Sequence, residues 1–158
     1  MSISKFYTDI TEKNFKFLTI SSCFLADLAA ALYIYLLVND KSYFEKYIDT
    51  VQEAMRQSNP DFKMAVDPNF LNQLWGVVLM TTLSMIMIFM VIHAIVYFFY
   101  FKDKKFAKSY VTFYTWTVAI VYTFTGLKNI TGALGFITIS GLFSLYIALG
   151  FNQKKKAE

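Results

Sequence analysis

Residues 74–101 carry no Asp, Glu, Lys or Arg, and the only side chain among them that titrates near neutral pH is His93. A stretch of this length and kind leaves few choices. In hydrocarbon a backbone must satisfy its own hydrogen bonds, so it forms a helix or a closed barrel, and about 20 apolar helical residues cross a core roughly 30 Å thick. The composition points the same way. The chain has 158 residues, of which 56% are hydrophobic, 19% aromatic and 16% charged, against roughly 25% charged in an ordinary soluble domain.

Four windows meet the length rule, at about 17–38, 73–101, 109–127 and 130–151. No alternating barrel strands of about ten residues are visible. The expectation is therefore a single all-α membrane domain over 1–158, with four transmembrane helices and an outer loop at 39–72. The first window is preceded by Lys5, Lys13 and Lys16, and small residues lie at 29–31. It continues apolar past any cleavage point, so it is expected to stay as a helix rather than be removed as a signal of about 7–15 apolar residues.

Basic residues set the orientation. Ten of the fifteen Lys and Arg residues fall in the N-terminal tail, the 102–108 loop and the C-terminal tail, and the other five are Lys41, Lys46, Arg56, Lys63 and Lys128. This bias predicts both termini in the cytoplasm, and hence an inner (plasma) membrane protein. The net charge of +4 is read as a topology signal, with the lipid bilayer as first partner. No water-facing basic module is long enough for nucleic acid.

Within the outer loop, Phe44, Ile48, Val51 and Met55 recur at helical spacing, which predicts a short amphipathic helix. Asn59 and Pro60 end it. Asp67 as N-cap and Pro68 at the first helical position start the next helix, which runs to about Phe101. Trp75 at one end of that helix, with Tyr97 and Tyr100 at the other, is expected to mark its two interfaces. In the N-terminal tail, Phe6, Tyr7 and Phe15 are expected at the inner interface. The third and fourth spans are joined by a short turn, with Gly126 suited to a C-cap, Lys128 able to snorkel, and Asn129 or Thr131 able to cap.

Two features could carry function. The first is a stripe of small and polar residues on the third span, Thr112, Thr115, Ala119, Thr123 and Gly126, matched on the fourth by Ser140, Gly141, Ser144 and Ala148. Such residues allow close helix approach in lipid, and the stripes are expected to meet.

The second is Asp27, in the middle of the first span, together with His93. A charged Asp there costs roughly 2.5–3.5 kcal/mol on insertion scales, so it should face inward and find a partner. At 1.5 Å per residue Asp27 lies about 15 Å and His93 about 12 Å from the cytoplasmic ends of their helices, close enough to one level to meet. An Asp–His pair in a membrane can be a proton relay, a pH-sensitive gate or a structural pin.

Absences narrow the chemistry. A lone Cys23 makes no dithiol pair. One His neither ligates haem from both sides nor builds a His-rich zinc site, so no metal or cofactor is expected. No phosphate loop, H-E-x-x-H or G-x-S-x-G motif is present. The leading expectation is a non-enzymatic membrane subunit that packs with itself or with another membrane protein. The alternative is a small ion channel or proton-linked transporter using Asp27 and His93.

Overall fold

The computed structural model describes residues 6, 7, 9–59, 68–127 and 133–157. Among these it is all-helical, with no strand. The helices are α1 (Glu12–Asn39), α2 (Lys41–Ser58), α3 (Pro68–Phe101), α4 (Lys105–Leu127) and α5 (Ala133–Ala157). Asp67, Lys128, Asn129 and Thr131, expected to cap or turn the chain, lie outside the described residues, as does Pro60.

Among the described residues, three helical stretches, Glu12–Asn39, Asn69–Phe101 and Leu134–Lys154, are long and apolar enough to cross a membrane. α4 is not among them, although its 23 residues extend about 35 Å. It carries Lys105, Lys108, Ser109, five threonines and three tyrosines, which dilute its apolar character. Several of these polar groups are turned inward, as described below.

The chain divides into two compact units, Ile34–Ile88 and a second made of Met1–Tyr33 with Phe89–Glu158. In the first, Asp40 breaks the chain between α1 and α2. Its carboxylate accepts from the Ser42 and Tyr43 amides at 3.0 and 3.4 Å, meeting donors that a helix start leaves unpaired. None of the α2 side chains is buried. Trp75 Nε1 donates to the Val38 carbonyl at 3.0 Å, which caps a free acceptor at the end of α1.

The second unit joins the first part of α1 to the last part of α3, α4 and α5. α4 and α5 run antiparallel in close contact. A Cβ on Gly126 would collide with the Thr138 side chain, and one on Gly141 would stand 2.6 Å from the Thr123 amide nitrogen. In the N-terminal tail, side chains expected to face lipid headgroups pack against the protein instead. Tyr7 and Phe15 are buried, and Tyr7 donates to the Tyr146 carbonyl. Both rings lie over Gly150, where a Cβ would come within 2.6 Å of Tyr7 and 2.7 Å of Phe15. Lys154 closes this corner, donating to the Ile10 carbonyl at 2.9 Å above the Phe15 ring.

α3 ends in a Schellman turn. The Lys104 amide donates to the Phe99 carbonyl and the Asp103 amide to the Tyr100 carbonyl, each at 3.1 Å. The left-handed position usually given to Gly is held by Asp103, at φ 61°. That conformation aims its carboxylate at Lys16 and Lys108, each 2.6 Å away. Hydrogen bonds from Lys108 and then Lys16 hold its carboxyl at about 2, below the ordinary 3.8.

A carboxyl depressed on folding adds stability that is complete above the unfolded value and is lost as pH falls through the folded one. Asp103→Asn, which keeps left-handed tolerance and loses the charge, is therefore expected to unfold at a lower temperature than wild type at pH 7. The gap should close as pH falls from about 4 toward 2, the window set by those two carboxyl values. Thermal unfolding in detergent across that range checks it, and a gap independent of pH would contradict it.

Candidate functional site

The second unit contains a buried polar array centred on Asp27. Ala26 and Ala29 beside it are buried and small, so α3 and α4 come close to this side of α1. Asp27 and His93 are each 1% exposed, and His93 Nδ1 stands 2.9 Å from Asp27 Oδ1. Depth along two helices brings them to one level, and the geometry brings them into contact.

The carboxylate has two further donors. Tyr97 Oη donates to Oδ2 and Tyr114 Oη to Oδ1, both at 2.5 Å. The Tyr97 oxygen also lies 3.1 Å from His93 Nδ1. With one hydroxyl proton already given to Asp27, it accepts there. On the far side of the imidazole, Tyr110 Oη is 2.7 Å from Nε2. An imidazole with its proton on Nδ1 satisfies all of these contacts, donating to Asp27 and accepting from Tyr110 at Nε2.

Aromatic rings hold the imidazole in place. Phe89 packs on it at 3.9 Å between centroids, and Tyr97, Tyr110 and Tyr114 meet it edge-on. Tyr110 and Tyr114 stack on each other, one helical turn apart. Nearby, Tyr122 donates to the Ala26 carbonyl at 3.2 Å, and Cys23 Sγ lies 3.3 Å from Thr115 Oγ1. Chemically, the array can hold a proton on a carboxylate, an imidazole or both, away from water, with every polar atom of the pair engaged.

The tyrosines are what sequence reasoning passed over. Tyr97 and Tyr100 were expected at an interface, but both are buried. Tyr97 serves the carboxylate, and Tyr100 packs with Cys23, Ala107 and Val111. A signal was present in the i, i+4 spacing of His93 with Tyr97 and of Tyr110 with Tyr114, which puts each pair on one helix face.

The small-residue stripes meet only in part. Thr123 and Gly126 of α4 do face Gly141 and Thr138 of α5. Thr115 instead turns to Cys23, and Ser144 shares a 3.0 Å hydrogen bond with Ser22 of α1. Thr112 is half-buried. Ser140 Oγ and Thr123 Oγ1 are buried with no hydrogen-bond partner among the described residues. The stripes are thus largely consumed inside the second unit. Among the described residues, no three His, Cys, Asp or Glu side chains come together in a way that could hold a metal. No known protein family, curated protein or solved structure matches the chain.

Proposed function

We propose that the chain is a four-span inner-membrane protein with both termini cytoplasmic, and that it is a small proton-linked transporter in which Asp27 and His93 carry the proton. α4 serves as the fourth span. It is long enough for the hydrocarbon core, and the Tyr114 and Thr115 hydroxyls are bonded inside the protein rather than turned to lipid. α2, with Phe44, Ile48 and Val51 half-buried and its charges exposed, lies as an amphipathic helix on the outer surface.

The observation that carries the reading is the fully buried carboxylate bonded to the one imidazole. Packing alone does not call for it. Exchanging a buried ionic pair for apolar side chains of similar volume is often neutral or stabilising, so such a pair is weak evidence for a purely structural role. An ionisable side chain kept in a span is a functional candidate by default.

The test is proton movement in proteoliposomes under an imposed pH gradient. Wild type should carry protons, alone or with a co-transported solute, and Asp27→Asn should not. Asn keeps an acceptor for Tyr114 and His93, and its amide can donate to the Tyr97 oxygen, so the fold is retained. Wild type that moves no protons across a broad screen of ions and solutes rejects the reading, as does undiminished movement by Asp27→Asn.

A second reading is a non-enzymatic subunit that packs with copies of itself or with another membrane protein. One observation favours it: only 6% of the most apolar window of α3 is buried, and Met80, Met85 and Met87 stand about two-thirds exposed. Adaptable methionine side chains suit such a contact.

A further inference from the structure

The proton-carrying pair is sealed from its surroundings, which raises the question of how a proton reaches it. Three hydroxyls touch the pair, and they differ in two respects. Tyr97 is 6% exposed and Tyr114 half-buried, and each has committed its hydroxyl proton to the carboxylate. Tyr110 is 38% exposed, and its hydroxyl sits on Nε2, the ring nitrogen facing away from Asp27. Among the described residues its hydroxyl is the one that bonds an imidazole nitrogen from an exposed side chain.

Its place along α4 fits that role. Tyr110 follows Lys105, the first residue of α4, by about 7–8 Å of helix, and Lys108 and Ser109 beside it are exposed. Asp27 lies deeper, near the middle of the first span. The chain of contacts Tyr110–His93–Asp27 therefore runs from the lysine-bearing end toward the membrane centre.

Resting on the proton-linked reading, we propose that Tyr110 is the residue through which protons pass between the lysine-bearing membrane face and the Asp27–His93 pair. The step balances as a concerted relay. The Tyr110 oxygen takes one proton from hydronium at the surface, leaving water, as its own hydroxyl proton moves to His93 Nε2 and the Nδ1 proton moves to Asp27 Oδ1. One proton has entered and one carboxylate is neutralised. The imidazole has exchanged its Nδ1–H tautomer for Nε2–H, and a proton that returns to the lysine-bearing face by the reverse sequence restores the first tautomer. Among the described residues, the other titratable groups facing the relay are Cys23 of α1, Tyr97 of α3 and Tyr114 and Tyr122 of α4, and Lys108 precedes Tyr110 by two residues.

The experiment is a pH jump on the whole protein in vesicles, following proton flux and the infrared carboxyl band of Asp27, which Asp27→Asn identifies. Tyr110→Phe, which keeps the ring and deletes the hydroxyl, should slow both by about tenfold or more while Asp27 still reaches protonation at equilibrium. Tyr110→His, which restores a proton-exchanging group, should recover part of the rate. A Tyr110→Phe protein with the wild-type rate overturns the inference and leaves the proton-linked reading standing if Asp27→Asn is inactive. A wild type whose Asp27 band never responds overturns the reading itself. Should Tyr110→Phe not fold, 3,5-difluorotyrosine at position 110 keeps the shape and acidifies the phenol. A changed rate then supports the relay, and an unchanged one overturns it.

Discussion

Asp27→Leu is expected to destabilise the protein by about 2–5 kcal/mol, from three orphaned donors at about 0.6–1.7 kcal/mol each, the average and maximum for hydrogen bonds between membrane helices. Those donors are His93 Nδ1, Tyr97 Oη and Tyr114 Oη. Leucine fills the volume and accepts nothing, and the site is too buried for water to substitute. The loss is a penalty for unmatched groups rather than the value of the contacts themselves. Removing two of the donors as well should therefore return stability. Asp27→Leu with Tyr97→Phe and Tyr114→Phe is expected to unfold in detergent at a higher temperature than Asp27→Leu alone. A triple variant no more stable than the single one would show that the array does not hold these helices as described. The same logic sets Asp27→Asn apart: its fold is kept, so its loss of proton movement reports on chemistry.

How much of this was legible beforehand depended on which physical signal each residue gave. The level shared by Asp27 and His93 follows from helical rise alone, because two rigid helices convert residue number into depth. The limits of α3 were also readable, from Pro68 at one end and the lysines after Phe101 at the other. The tyrosines were not. An aromatic ring with a polar tip suits a membrane interface and a buried acceptor equally well. Which it meets is decided by the neighbouring helix, so Tyr97 at the end of an apolar run was read outward when Asp27 draws it inward.

The stripes met only in part for a related reason. Small residues state that some helix comes close without stating which one, and α1 with Ser22 and Cys23 takes Ser144 and Thr115 from the pairing expected between α4 and α5. Asp103 gave no signal at all. Only the backbone reveals that a left-handed turn aims its carboxylate at two lysines that are far apart in sequence.

Gly141→Leu should be strongly damaging. A Cβ there would stand 2.6 Å from the Thr123 nitrogen and 2.9 Å from the Tyr122 carbonyl carbon. Both are backbone atoms inside a helix, which cannot rotate away as a side chain would. α4 must then shift as a body, and overpacking of this kind costs about 1–3 kcal/mol or more. The shift would not stay local, because Tyr122 donates to the Ala26 carbonyl, one residue before Asp27. Moving it should disturb α1 where the carboxylate is held, so proton movement should fall together with the unfolding temperature. Gly76→Leu is the matched control. A Cβ at that position meets nothing within 4 Å, and replacing a mid-helix glycine recovers some of the roughly 0.8–1.0 kcal/mol that glycine costs a helix interior. Thermal unfolding of both proteins in detergent decides the matter: equal losses at the two positions, or none at Gly141, would contradict the close approach of α4 and α5 on which the site's geometry rests.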